Sequence, residues 1–445
     1  MEQTVDITWI STRPNACWQY RKSPRRSNRE PNLYFTPQEL QPVKGFGGAF
    51  NELGWVALGK LKQKDQDRVM RALFDTEQGC GFTFCRVPIG ASDFALDWYS
   101  YSETPDDYVM KHFSIERDRK HLIPYIKRAM RIRPDLTLFA SPWSPPTWMK
   151  TKKAFNSGIL RWEPKVLRAY ALYFKRFIEA YADQGIRIEQ VHIQNEPRSD
   201  QKFPSCLWTG PQMRDFIRDY IGPLFERDKV NCEIWAGTIE KGVYFGSQMD
   251  LIGTQGFAEW AHCILSDPDT RKYVGGVGFQ WDGKGMVQRT HETWPNIPLI
   301  QTENECGNGT NTWTYARYVF DLIWHFFTNG VRAYTYWNMI LPEGGVSTWN
   351  FAQNSMITVT DDGRAVFNPE FYVMRHFAQF VRPGARRLGL AGPWSGFALG
   401  FVNTDGSRVL VLANPYETPG RVTLDTGDGT VALSLPGQSF HTLVL

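Results

Sequence analysis

Two short stretches of the chain end an apolar run in an acid. HIQNEP (192–197) sets Glu196 between an amide and a proline, and LIQTE (299–303) closes on Glu303. Two carboxylates held across a sugar can divide the cleavage of a glycoside: one protonates the leaving oxygen while the other attacks the anomeric carbon. Neither role works with one carboxylate alone, and NEP by itself reads equally well as a strand terminus with a solvated Glu. The recurrence of the pattern at Glu303, three apolar runs further on, gives the pair its weight. Asn195 adds an amide that can hydrogen-bond a sugar hydroxyl, and Pro197 stops the strand and sets the turn.

These residues need elements that bring them to one place. From residue 44 onward eight short apolar runs appear: 45–50, 82–90, 136–143, 189–196, 232–238, 274–281, 298–303 and 332–339. Most are separated by helical patterns. In 166–181, Val166, Tyr170, Phe174, Phe177 and Tyr181 recur at steps of three or four and make one apolar face. Segments 116–130, 211–226 and 312–327 behave similarly. Buried strands followed by helices predict an α/β fold, either a (β/α)8 barrel or a doubly wound sheet. In a barrel the strand ends converge on one face, the default place for catalytic groups. After about residue 383 short alternating runs broken by Asp-Gly, Pro-Gly and Asn-Pro indicate antiparallel strands. The expected division is 1–44, whose runs at 5–10 and 16–20 supply edge strands to a β-sandwich, 45–380 as the barrel, and 381–445 as the C-terminal sandwich.

Composition removes several function classes. A formal charge of +4 over 445 residues gives no electrostatic footprint for nucleic acid. No stretch reaches the roughly 18 apolar residues of a membrane span. MEQTVDITWI carries acids where a signal peptide carries lysines, so a cytoplasmic location is expected. The seven cysteines, at 17, 80, 85, 206, 232, 263 and 306, are odd in number and scattered, which fits reduced thiols. Cys80 and Cys85 have no second pair or flanking His to complete a zinc set, so no metal is expected. GFGGAF (45–50) has Phe50 where a dinucleotide loop needs its third glycine. The basic stretch 21–30 reads as a solvated loop. Aromatic residues reach 14%, a supply that either fills a large core or offers platforms for sugar rings.

RVPIGASDF (86–94), ASPWSPPTWMK (140–150), QNEP (194–197), TENEC (302–306) and YWNMILPEGG (336–345) together resemble glycoside hydrolase family 30, the group that contains the glucosylceramidases. The resemblance extends from GFGGAF to the tail and includes FYVMRHFAQFVRPGARRLGL (371–390). It implies a (β/α)8 TIM barrel with an attached β-sandwich built from both chain termini, and a mechanism that retains anomeric configuration. It further implies that Glu196 is the general acid/base and Glu303 the nucleophile. Asp93 and Asn195 would bind sugar hydroxyls, and Trp143 and Trp337 would form walls, with Trp148 and Asn338 close by. No cofactor is implied, because side chains supply both proton transfer and attack.

The match departs from the family after the sixth run, where its better-known members place His-x-Tyr with the phenol on the nucleophile. This chain has Gln280, Trp281 and Asp282. Trp281 and Asp282 therefore join the candidate substrate-binding residues, Asp282 either binding a hydroxyl or perturbing the nucleophile, with Lys284 near enough in sequence to neutralise it. Glu305 is a local rival of Glu303, since both have the same parity on an extended strand; Glu303 is preferred because it ends the apolar run. The expected activity is a retaining β-glucosidase acting on small β-glucosides or glucosylceramide-like substrates. The alternatives are an endo- or exo-acting β-1,6-glucanase, another β-glycosidase taking a xyloside or fucoside, or a non-catalytic carbohydrate-binding protein.

Overall fold

The computed structural model describes residues 7–242 and 253–445. All eight apolar runs are strands: Gly45–Ala49, Phe84–Ile89, Thr137–Pro142, Gln190–His192, Glu233–Ile239, Val274–Gln280, Leu299–Glu303 and Ala333–Asn338. They form one parallel sheet in chain order, with the eighth strand paired to the first. Between the seventh and eighth the seam is closed partly by side chains. Arg332 donates its backbone N–H to the Leu299 carbonyl at 2.8 Å, Gln301 Oε1 accepts from the backbone of Thr335 at 2.7 Å, and Asn304 Oδ1 from that of Trp337 at 2.6 Å. The sheet is therefore a barrel and not a doubly wound layer.

Strand alternation decides what the barrel holds. Phe84, Phe139, Trp235, Ile300 and Ala333 cluster inside it, while Cys85, Val87, Leu138 and Ala140 pack outward under the helices. Phe84 and Phe139 stack at 4.9 Å. Two residues further along the same faces come Arg86 and Ser141, so a cation lies directly above an apolar plug. On the outer layer, the helix Pro164–Ala182 buries Val166, Tyr170, Phe174, Phe177 and Tyr181 completely, the face that the periodicity predicts. The helix expected over 116–130 starts later, at Leu122. Residues 118–120 form a separate tight turn, because the buried Asp118 carboxylate accepts hydrogen bonds from Tyr99, Tyr101 and Tyr181, each at 2.6 Å.

The second layer is a ten-stranded sheet built from both ends of the chain. Its order is Ala16–Tyr20, Thr8–Arg13, Ser439–Val444, Arg408–Asn414, Ala398–Val402, Arg386–Ala391, Leu33–Pro42, Gly420–Asp425, Thr430–Leu435 and Arg25–Arg26. Period two again assigns the faces. Leu410 and Leu412 enter the sandwich core with Leu33, Leu424 and Leu433, whereas Val409, Val411 and Ala413 pack on the barrel. Three details differ from the sequence reading. Of the 5–10 run, residues 5 and 6 lie outside the described residues, and Thr8–Arg13 is an interior strand. Arg25–Arg26, read as loop, forms the far edge by pairing with Val431 and Ala432. Leu33–Pro42 lies inside the sheet although Pro37 and its polar neighbours break the alternation. The helix Pro369–Ala378 joins the layers: His376 bonds Thr442 at 2.8 Å and Thr12 at 2.9 Å, one from each end of the chain. All seven cysteines are free, and no described helix is long and apolar enough to cross a membrane.

Candidate active site

Arg86 is the centre around which the strand ends are arranged. A cation in the otherwise apolar strand FCRVPI must be paired to be buried, and its side chain is 0% exposed. Its Nη1 donates to Glu303 Oε2 at 2.8 Å, and its Nη2 to Asn195 Oδ1 and Ser141 Oγ, both at 2.7 Å. The guanidinium lies 4.6 Å from the Trp143 ring centroid and 5.5 Å from that of Trp337. One residue from the second strand thereby orients groups from the third, fourth and seventh. Asn195 Oδ1 also accepts from Gln280 at 3.2 Å and Thr238 at 3.3 Å, which commits the oxygen and leaves the amide nitrogen for a ligand.

Glu196 and Glu303 line one cavity of about 200 Å³. The Gln280 amide nitrogen lies 3.5 Å from Glu196 Oε1 and 3.4 Å from Glu303 Oε2. Those two oxygens cannot be further apart than the two lengths laid end to end. That bound admits the ~5–5.5 Å of a retaining pair. Glu196 has φ +47° and Trp281 φ +48°, a left-handed backbone that costs a non-glycine residue about 1–2 kcal/mol. Both lie just beyond the C-terminal ends of their strands, where the surrounding contacts hold that strain.

The two carboxyl groups have different surroundings. Burial pushes Glu196 well above the ordinary glutamate range, and the charges of Glu303, Glu240 and Asp93 push it further; its amide partner Gln201, at 3.3 Å, opposes this weakly. Burial raises Glu303 too, but Arg86, Trp281 and Gln280 all favour its anion. The proton therefore sits preferentially on Glu196. Asp93 is pushed up to about 8 by burial and by the Glu303 charge. Its Oδ2 accepts from Gln353 at 3.4 Å while its Oδ1 has no partner among the described residues. Near neutral pH Asp93 can thus donate to a hydroxyl as well as accept from one.

The residues singled out in the sequence fall into two groups. Asp93, Trp143, Asn195, Glu196, Trp281, Asp282 and Glu303 line the cavity. Trp148, Trp337 and Asn338 do not. Trp148 donates to the Ser102 carbonyl at 2.9 Å and packs edge-on against Tyr108. Trp337 is 1% exposed and stacks behind Trp143 at 5.2 Å. Asn338 donates to Gln353 Oε1 at 2.9 Å, so it acts on Asp93 through an intermediate amide. Asp282 stands at the rim, its side chain 67% exposed and its charge met by Lys284 at 3.2 Å. Lys284 also pairs with Glu305 at 2.7 Å, and Glu305 accepts from Tyr318 at 2.7 Å. The strand ends at Glu303, so the parity argument for Glu305 fails beyond it, and Glu305 is turned away from the cavity. Arg86, Gln201, Glu240, Gln353 and Trp349 were not singled out. Only Arg86 carried a local signal, a charge inside an apolar strand.

The Trp281 indole nitrogen donates to Glu303 Oε1 at 3.0 Å. Trp281→Phe removes a hydrogen bond to a charged acceptor worth about 1.5–3 kcal/mol, so kcat/KM should fall roughly ten- to hundredfold. The donor favours the anion, so its loss raises the Glu303 pKa and the acid limb of the pH–rate profile should move to higher pH. A pH profile of kcat/KM on an aryl glycoside checks both, and an unmoved limb would remove Trp281 from the support of the carboxylate.

The family model of the glycosyl hydrolase family 30 TIM-barrel domain matches residues 43–381, and that of the glycosyl hydrolase family 30 beta sandwich domain matches residues 384–443. Lysosomal acid glucosylceramidase of Mus musculus is 31% identical over 435 residues, covering 91% of this chain and 81% of the mouse protein. Endo-1,6-beta-D-glucanase of Neurospora crassa is 24% identical over 425 residues, covering 88% of this chain and 82% of the fungal protein. The crystal structure of SrfJ from Salmonella typhimurium superposes with a TM-score of 0.88 at 27% identity, over 99% of each chain.

Proposed function

Because the chain belongs to glycosyl hydrolase family 30 and is a glycoside hydrolase, we propose that it cleaves β-glucosides by double displacement with retention of configuration. Glu303 attacks the anomeric carbon as Glu196 delivers its proton to the glycosidic oxygen; the carbon–oxygen bond breaks and a glucosyl ester of Glu303 forms. Glu196, now a carboxylate, takes a proton from water, whose oxygen displaces Glu303. Arg86 keeps the nucleophile ionised until it reacts. Asp93 and the Asn195 amide bind hydroxyls of the glucosyl ring against the Trp143 face. The preference for glucose follows the similarity to the mouse glucosylceramidase.

The observation that carries this reading is the reach of one amide, Gln280, to both carboxylates. Proton NMR of aryl β-glucoside hydrolysis should show the β anomer of glucose first. An initial α anomer would make the pair an inverting one and end the assignment of Glu303 as nucleophile. A parallel screen of aryl β-glucoside, β-xyloside and β-fucoside with β-1,6-linked gluco-oligosaccharides should give the highest kcat/KM with a glucosyl unit in the innermost position.

A further inference from the structure

A further glutamate in the cavity takes no direct part in the two displacement steps. Glu240 follows the fifth barrel strand, is 2% exposed, and lines the same cavity as Glu196 and Glu303. Its Oε1 accepts from Ser199 Oγ at 2.7 Å and from the Arg198 backbone at 3.1 Å. Its Oε2 has no hydrogen-bond partner among the described residues. Burial raises its pKa to about 6, so at neutral pH the group is largely an anion, favoured by the Lys241 charge, with one oxygen lacking a hydrogen bond. Leaving such an acceptor unpaired costs about 1–3 kcal/mol, more when charged, which a bound donor would recover.

Where Glu240 stands decides what that donor is. Both of its own donors, Arg198 and Ser199, belong to the turn directly after Glu196, and the nearby Gln201 donates to Glu196 itself. On the reading of Glu196 as acid/base, its carboxyl must reach the glycosidic oxygen, so groups tied to its own turn meet the leaving group. Asp93 and Asn195, in contrast, surround the ring that is attacked. The same cavity carries Phe203 and Trp349, whose ring centroids are 5.3 Å apart, and the buried Trp349 indole nitrogen has no hydrogen-bond partner among the described residues. Aromatic faces with polar atoms at their edges suit a pyranose, which has an apolar C–H face and a rim of hydroxyls.

We propose that Glu240 accepts a hydrogen bond from a hydroxyl of the leaving group, making the outer part of the cavity a subsite for a second sugar. The preferred substrate class is then a glucosyl saccharide, because an alkyl or lipid aglycone would pack against Oε2 and leave it unpaired. A site built to bond a hydroxyl rejects the analogue that lacks one far more strongly than an apolar pocket rejects an extra one.

The test compares two substrates with similarly poor leaving groups, a β-1,6-linked glucose disaccharide and octyl β-glucoside, in the unsubstituted enzyme and in Glu240→Ala and Glu240→Gln. The readout is the ratio of their kcat/KM values. Glu240→Ala should lower that ratio roughly ten- to hundredfold, the value of a hydrogen bond to a charged group. Glu240→Gln, which keeps the size and an acceptor oxygen for Ser199, should lower it by less and carries the test should the alanine variant fold poorly. An unchanged ratio would overturn the proposal. So would an equal fall for both substrates, since that is what Glu240 would produce by acting only on the proton affinity of Glu196. Failure of the underlying reading is seen separately in the unmodified enzyme, as α-glucose formed first from an aryl β-glucoside.

Discussion

Glu303→Ala is expected to lose turnover of every β-glucoside, whether the leaving group is good or poor, because no covalent intermediate can form. Loss on the order of 10⁴–10⁶-fold is the size expected when a nucleophile is removed from a group of residues that act as a unit. Azide can then enter the space of the missing carboxylate and attack the anomeric carbon from that face, so the product should be the α-glucosyl azide. The variant also strips the buried Arg86 of its ion-pair partner, a change that costs about 3–5 kcal/mol. Thermal melting must accompany the kinetics, and Glu303→Gln, which keeps a carbonyl oxygen for the guanidinium, should be equally inactive but less destabilised. Glu305→Ala is the control: it breaks the contacts with Lys284 and Tyr318 and should yield no azide adduct. An α-azide from Glu305→Ala, with none from Glu303→Ala, would move the nucleophile two residues along.

Glu196→Ala should behave differently, and the difference depends on the leaving group. A dinitrophenolate departs without much help, so glycosylation of Glu303 partly survives. A disaccharide or alkyl glucoside needs its oxygen protonated and should lose the ~10²–10⁴-fold typical of general acid catalysis. With a good leaving group, azide can replace the missing base in the second step and should give the β-azide, the opposite anomer from Glu303→Ala. The pH dependence gives an independent check. Burial and neighbouring carboxylates raise the Glu196 pKa, so the acid stays protonated further into the alkaline range than a solvated glutamate would. The alkaline limb seen with poor leaving groups is its deprotonation and should be absent in Glu196→Ala. A variant that retained both that limb and full activity on a disaccharide would exclude Glu196 as the acid.

Much of the barrel was legible because its strands are buried on both sides. Continuous apolar runs such as FTFCRVPIG and LTLFASPW stand out from helices whose apolar residues recur every three or four positions, and each run proved to be a strand. The ends of those runs then named Glu196 and Glu303. Leu33–Pro42 was not legible: it holds Pro37 and alternates poorly, and it is a strand because Arg386–Ala391 and Gly420–Asp425 flank it. Its stabilising partners are more than 300 residues away, outside any local window.

Residue types and periodicity along the chain determined the strands, the helix faces and the two acids that end apolar runs, since each depends on neighbours within a turn or a pleat. Tertiary structure decided the chemistry of those acids. Glu303 is the better anion because Arg86, Trp281 and Gln280, from the second and sixth strands and the turn after it, converge on its oxygens. Glu196 holds the proton because burial and the charges of Glu303, Glu240 and Asp93 act on it, the three carboxylates coming from three other strand ends. It also decided that Glu305 faces Lys284, that Trp337 backs the wall Trp143 presents, and that Glu240 joins the cavity. Proton affinity and access are set by electric fields and packing across the barrel, and these act through space between residues that the sequence keeps tens to hundreds of positions apart.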